Sequence, residues 1–448
     1  MSTQQWNGIE IMQKRTKTLL LLLIGLSCAT SLRAENLVDI YKLARQNDPT
    51  YLAAVAEYNA AKETSTQAWS AVLPQIGLRG THSEIDNNKY DTVAGSIPGK
   101  YHTDSYTLSL TQTLYHKEQF DRISQADAQV AQAEAKFNSA KLDLIVRASQ
   151  RYFNVLAAAD NLVFAKANKQ AIEQQLQQTK QRFEVGLTAI TDVHEAQARY
   201  DASVASAITA QNQLDISKEE LREITHQAPG QLATLEENMP LPTPDPTDIE
   251  QWVKTSLAHN LLLLAAQKAM DAAQSGIGVA RAGHYPTLDL QADYTNYEAS
   301  GGFTSKTDGT TVSLVLNFPL YAGGGVSSAS RQATAQYQQA RELYEQQRRA
   351  TERGTRNSYL TVIADISTVN ALKQALRSSQ TALEATKAGF DVGTRTAVEV
   401  LDSQQLVFQA RSNYAKSRYD YILETLLLKQ SAGTLTEADI NSINNWLQ

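Results

Sequence analysis

A chain of 448 residues with a formal charge of −6 and 7% aromatics offers no basic patch to recruit nucleic acid. It also has few large side chains with which to build thick globular cores. Its mean hydropathy of −0.36, with Ala and Gln abundant, suits long helices better.

The first element is a leader. Lys14, Arg15 and Lys17 precede TLLLLLIGL and the small-residue stretch SCATSLRA, which predicts a signal peptide over residues 1–34, with Met12 as a second possible start. Its removal takes four basic residues and one acidic residue and leaves a charge of −9. The single cysteine, Cys28, falls inside it. Gly25 stands where a lipoprotein signal wants a branched apolar residue, so the exported chain is expected to carry no thiol. No later stretch reaches the ~18 apolar residues of a membrane helix.

The remainder reads as two copies of one plan. LPQIGLRGTHSE (73–84) matches YPTLDLQADYTN (285–296), and YTLSLTQTLYHKEQ (106–119) matches TVSLVLNFPLYAGGG (311–325). A first repeat is predicted over 35–228 (helix, strand pair 74–114, long helix, tip, helix). A second follows over 249–432, with its strand pair at 286–320, and a C-terminal segment at 433–448. Between the repeats, residues 229–248 hold five of the ten prolines and read as a connector.

The strand segments alternate. Leu108, Leu110 and Leu114 oppose Thr107, Ser109, Thr111 and Thr113, and Val312, Leu314, Leu316, Phe318 and Leu320 oppose Thr311, Ser313 and Asn317. Period two over about ten residues predicts strands of a membrane barrel, and a half-buried soluble sandwich shares the pattern. Four strands cannot close, and an open edge in lipid leaves backbone groups unpaired. Three chains would supply twelve strands around a lumen.

From Glu118 to Phe183 there is no proline or glycine, and Val326–Phe390 holds only Gly354 and Gly389. These predict helices of roughly 100 Å. Val193, Tyr200, Ala207, Leu214 and Leu221 are seven apart, as are Val400, Val407, Tyr414, Tyr421 and Leu428, a spacing that supercoils helices against neighbours.

At the helix turns, RFEVGLTAITDVHE (182–195) is echoed by GFDVGTRTAVEVLD (389–402). Gly186 and Gly393 are placed to end helices, and new helices are expected near Thr188 and Thr396. Asp192 and Glu195, like Glu399 and Asp402, are three apart on one face of a first helical turn. There they complement the helix dipole. In a threefold assembly they become a carboxylate ring of the kind that selects cations, with crowding expected to raise some of their pKa values. Arg395 is expected to pair with Asp192 across the turn.

ENLVDIYKLARQNDP (35–49), YFNVLAA (152–158), the two tip motifs, GHYPTLDL (283–290), FPLYAGGGV (318–326) and RYDYILETLLLKQSAGTL (418–435) together resemble the outer-membrane efflux protein family across essentially the whole exported chain. The resemblance implies a homotrimeric twelve-stranded barrel in outer-membrane lipid, four strands per chain, continued by a periplasmic α-helical barrel with a coiled-coil tip. It implies a passive exit duct for efflux or type I secretion in a Gram-negative bacterium, opened by a periplasmic adaptor and an inner-membrane transporter of RND, ABC or MFS type. Glu399 and Asp402 would be constriction carboxylates, and Asp192, Thr191 and Arg395 latch groups. The tips Val185, Gly186, Leu187, Val392, Gly393 and Thr394 would meet the adaptor. Phe390 departs from the family, which has a tyrosine there to bond the latch acid, and Glu195 beside His194 is an extra acid. No cofactor, metal or catalytic residue is expected: the seven histidines are scattered, and His194-Glu195 lacks the second histidine of a zinc helix. The competing reading is an exported trimeric coiled-coil spacer or surface protein that conducts nothing.

Overall fold

A computed structural model of the chain describes residues 34–86, 90–92, 95–97, 100–236, 238–301 and 304–448. The leader expected over 1–34 therefore lies almost wholly outside the described residues. In the first half, α1 (Leu37–Asn47) and α2 (Pro49–Ser70) lead to β1 (Gln75–Asp86), the short strands β2 (Tyr90–Thr92) and β3 (Gly95–Ile97), and β4 (Lys100–His116). Then come α3 (Lys117–Glu184) and α4 (Ile190–Thr225). The second half runs α5 (Ile249–His259), α6 (Leu261–Arg281), β5 (Thr287–Ser300), β6 (Ser305–Asn317), α7 (Gly325–Asp391) and α8 (Ala397–Ala432), followed by α9 (Glu437–Asn444).

The helices α3 and α7 have 68 and 67 residues, about 100 Å each at ~1.5 Å per residue. α7 passes through Gly354 unbroken. No described helix is apolar enough to cross a membrane. The heptad residues of α4 have a companion row that the sequence did not advertise: Ala196, Ser203, Ala210 and Ser217 are all buried. Their small side chains allow a neighbouring helix to approach closely.

β1, β4, β5 and β6 form one antiparallel sheet in that order. Its register sorts the two faces. Leu78, Leu108 and Tyr294 are paired across it, as are Ile76, Leu110, Ala292 and Val312, then Leu290 with Leu314, and Tyr115, Leu288 and Leu316. On the other face lie the rows Gly77–Ser109–Asp293–Thr311 and Gln75–Thr111–Gln291–Ser313. The apolar face is open: Leu78 is 76% and Leu314 68% exposed. Exposed tyrosines bound it, Tyr106 and Tyr294 at one end and Tyr115, Tyr285 and Tyr321 at the other. Beyond Tyr106 the same face turns polar, where His82 Nδ1 meets Asp104 Oδ1 at 2.7 Å.

Two expectations need correction here. A bulge between Thr113 and Tyr115 makes Leu114 the unpaired extra residue, so the alternation shifts by one and Tyr115 joins the apolar face. Phe318 and Leu320 lie past the end of β6 at Asn317, where Pro319 has no N–H to extend a ladder. All four long helical connections leave one end of the sheet, and the hairpin loops sit at the other. β1 and β6 are its edges.

The main core is a belt partway along the helices, gathering Leu144–Phe153 of α3, Leu221 of α4, Val362 of α7 and Tyr419–Leu428 of α8. The proline-rich connector wraps it and has few ladder partners for its own carbonyls. Side chains of the belt satisfy them: Tyr152 Oη donates to Ala233 O at 2.7 Å, Tyr421 Oη to Pro242 O at 2.7 Å and Trp252 Nε1 to Pro246 O at 2.7 Å. Tyr359 donates to Thr247 O in the same way. Burial pushes the Tyr421 hydroxyl up to about 12, so it remains a donor at any physiological pH. Tyr421→Phe leaves the Pro242 carbonyl without its donor and should cost about 1–3 kcal/mol. Thermal unfolding in detergent checks this; an unshifted transition would mean the connector is not held from the belt.

Candidate functional site at the hairpin tips

Five residues join α3 to α4, and five join α7 to α8. Both turns close in the same way. Gly186 has φ 78° and Gly393 φ 82°, left-handed conformations that side chains other than glycine's resist. An added Cβ would meet nothing at either position, so conformation and not space requires the glycine. The Gly186 N–H donates to Phe183 O at 2.9 Å and the Leu187 N–H to Arg182 O at 2.8 Å. Gly393 to Phe390 O at 3.1 Å and Thr394 to Gly389 O at 2.8 Å repeat the pattern. Val185, Leu187 and Val392 project from the turns, each at least 70% exposed.

The acids of the two copies are bonded in parallel. In the first, the Thr188 hydroxyl donates to Asp192. In the second, Arg395 Nη1 donates to Glu399 Oε1 at 2.5 Å, and Arg395 stands where Thr188 stands in the repeat. Glu399 also closes a capping box, its Oε2 accepting from the Thr396 N–H at 2.7 Å while Thr396 Oγ1 accepts from the Glu399 N–H at 3.3 Å. The first copy lacks this device: α4 begins at Ile190 after Ala189, which makes no side-chain cap, so it opens two residues later than Thr188 suggests.

These contacts revise one expectation. Arg395 does not pair with Asp192 within the chain. Its stem folds back over Gly389, where a Cβ would come within 2.6 Å of Arg395 Cγ, and its guanidinium is delivered to Glu399. The Glu399 carboxyl is lowered to about 2 within the chain, first by the Thr396 N–H, then by Arg395 and the Thr396 hydroxyl, while the crowding expected to raise some of the acids belongs to the threefold ring. Within one chain, hydrogen bonding to the charged form decides the shift.

The remaining site residues divide between surface and core. Thr191, His194 and Glu195 are exposed. Phe390 is buried against Leu383, Ala397 and Val400, and the Arg182 guanidinium lies 4.1 Å from its ring centroid. Asp402 is bound by Arg199 of α4, Nη2 to Oδ1 at 2.7 Å. Between these two contacts, Leu401 of α8 is buried among Ile172 and Leu176 of α3 and Ala196 of α4. The Arg199–Asp402 pair is half exposed and is worth at most ~1 kcal/mol. The arginine on a buried ring falls nearer the ~2 kcal/mol end of its range. The apolar contact and the ring therefore hold the two hairpins together more than the ion pair does. Sequence reasoning passed over Arg182 and Arg199, and read Thr188 only as a helix start. Aligning the repeats offered a signal for the first, since Arg182 occupies the position of Gly389.

The sequence profile described as "Outer membrane efflux protein" matches the chain twice, over residues 40–226 and 252–434. The chain belongs to this family. It is 38% identical over 420 residues to the outer membrane protein TolC of Vibrio cholerae, covering 93% of this chain and 94% of that protein. It is 36% identical over 447 residues to TolC of Escherichia coli, covering 96% and 89%. Among solved structures, the outer membrane protein VceC of V. cholerae superposes with a TM-score of 0.77 at 21% identity, covering 89% of this chain and 96% of that one. At that identity the likeness speaks for the fold. The family is one of outer-membrane channels and not of enzymes.

Glu399 sets a pH window for the second tip. A lowered carboxylate contributes fully above its ordinary value of 4.5 and loses its contribution as pH falls toward about 2. Amide protection at residues 396–402, corrected for intrinsic exchange, should stay flat from pH 8 to about 4.5 and fall below it. A decline beginning near pH 6–7 would contradict this assignment of the Glu399 bonds.

Proposed function

We propose that three copies of the chain close their sheets into one twelve-stranded barrel in outer-membrane lipid, continued by a tube of helices into the periplasm. The assembly is a passive exit duct whose tip is the closable aperture. The observation that carries the reading is the sheet: an exposed apolar face bounded by tyrosines, with two unpartnered edge strands. From Tyr106 to Tyr115 the apolar rows cover about 30 Å of strand. Tilted by ~45°, that is roughly 21 Å of depth, close to the ~25 Å band of outer-membrane barrels. A soluble spacer has no use for such a face.

In the trimer, six hairpin tips ring the axis, and Glu399 and Asp402 of each chain form the constriction. Asp192, Thr191, Arg395 and Phe390 lie beside them as the latch. Because Arg395 serves Glu399 of its own chain, any bond it makes to an Asp192 belongs to the contact between chains. His194 and Glu195, exposed on the first turn of α4, extend the acidic ring. The exposed Val185, Leu187 and Val392, with Gly186, Gly393 and Thr394, form the adaptor-facing rim. Cargo and energy come from an inner-membrane transporter of RND, ABC or MFS type docked through that adaptor, which lets one duct serve efflux and type I secretion alike.

Purified protein in a planar bilayer should give small, cation-selective currents. Glu399→Ala together with Asp402→Ala should raise conductance severalfold and reduce the selectivity, since rings of acids set it. No current from either protein would contradict the duct and favour the structural spacer.

A further inference from the structure

The two tips are copies in backbone and in their Thr188–Asp192 and Arg395–Glu399 bonds, but two contacts between them have no counterpart. Arg182 reaches the ring of Phe390, whereas the repeat positions of this pair hold Gly389 and Phe183, and Phe183 is 40% exposed. Arg199 reaches Asp402, whereas the corresponding positions hold Leu406 and Glu195, both exposed. Divergence has therefore put two arginines on the first hairpin and their acceptors on the second. The arrangement has one direction, first hairpin onto second within one protomer.

We propose that Arg182 and Arg199 form a clamp that holds the second hairpin shut against the first and covers the charge of Asp402, so that release of the second hairpin both widens the aperture and unmasks its acids. The inference rests on the duct reading and assigns its closed state a chemistry. With the clamp engaged, Glu399 is paired with Arg395 and Asp402 with Arg199, so the charge of each acid is partly offset by a cationic partner. Arg395 and Glu399 belong to the same turn and travel together. Arg199 belongs to the other hairpin, so moving α8 away from α4 strips Asp402 of its counterion. In a trimer, opening then adds three unpaired carboxylates to the aperture, and the duct becomes more cation-selective as it widens.

The two grips respond differently to the medium. The exposed Arg199–Asp402 pair weakens as salt screens it, while arginine over a buried ring has no second charge to screen. Phe390 thereby supplies closure without a hydroxyl: the ring itself is the acceptor. Arg182 and Arg199 are positioning residues, acting on the hairpin that carries the acids.

The test uses the full-length assembly carrying Arg199→Gln, Arg199→Gln with Asp402→Asn, and Arg182→Gln with Arg199→Gln, read in two ways. The first is the reversal potential under a potassium chloride gradient. Arg199→Gln should shift it toward cation selectivity and raise conductance about threefold, and adding Asp402→Asn should abolish the shift. An unmoved reversal potential in a conducting Arg199→Gln trimer would overturn the unmasking. The second is amide exchange by mass spectrometry, which needs no current. Arg182→Gln and Arg199→Gln combined should speed exchange at 390–402 on the order of tenfold, with the belt at 144–153 unchanged. Equal exchange in variant and parent would overturn the clamp. Faster exchange in a protein that never conducts would support the clamp while contradicting the duct.

Discussion

Two unpaired strand edges govern the molecule. β1 and β6 run for 12 and 13 residues at the margins of a sheet that presents an apolar face. In lipid each unpartnered backbone group costs several kcal/mol, so the sheet has no stable place in a membrane until those edges meet others. The proposed closure by copies of the same chain would satisfy them, and the remaining architecture would follow. The helical connections emerge from one end of the sheet, so a ring of sheets becomes a ring of helices. Duplication within the chain gives each copy two hairpins, and under the same proposal two tips at the aperture.

Much of this was legible in the sequence. The absence of proline and glycine between Glu118 and Phe183 marked α3 to within a residue or two, because nothing in that stretch could stop a helix. Alternation marked the sheet, and the Val-Gly turns were recognisable because φ near 80° leaves few alternatives to glycine. Legibility ended where local pattern ends. The bulge at Leu114 is a property of the β4–β5 pairing. Tyr421 stood on the predicted heptad row, but the bonds of Tyr152, Tyr421 and Trp252 to the connector carbonyls depend on a wrapping path that spacing does not encode. The Arg199–Asp402 pair spans 203 residues and has no signature in either segment.

The tip acids illustrate how a local and a functional role can share one side chain. Glu399 is explained as a helix cap: it completes a capping box, complements the dipole and is held well below the usual carboxylate range by the bonds that do so. That accounts for an acid at the third helical position and leaves the Glu399 side chain partly accessible. Asp402, one turn on, has no capping bond, and its partner comes from the other hairpin. The pairing, and not the residue type, separates an acid that starts a helix from one that reports the distance between two helices. Repeat symmetry makes the distinction visible, since Asp192 and Glu399 are bonded alike while Glu195 and Asp402 are not.

The central claim is that the open sheet is completed by identical chains. The most direct measurement is the mass of the intact complex released from lipid nanodiscs into a native mass spectrometer. Three chains are expected, each close to the mass of the processed polypeptide, persisting until activation disrupts the barrel. A monomer released intact from lipid would contradict the account, because four strands with two open edges would then have proved stable in a membrane.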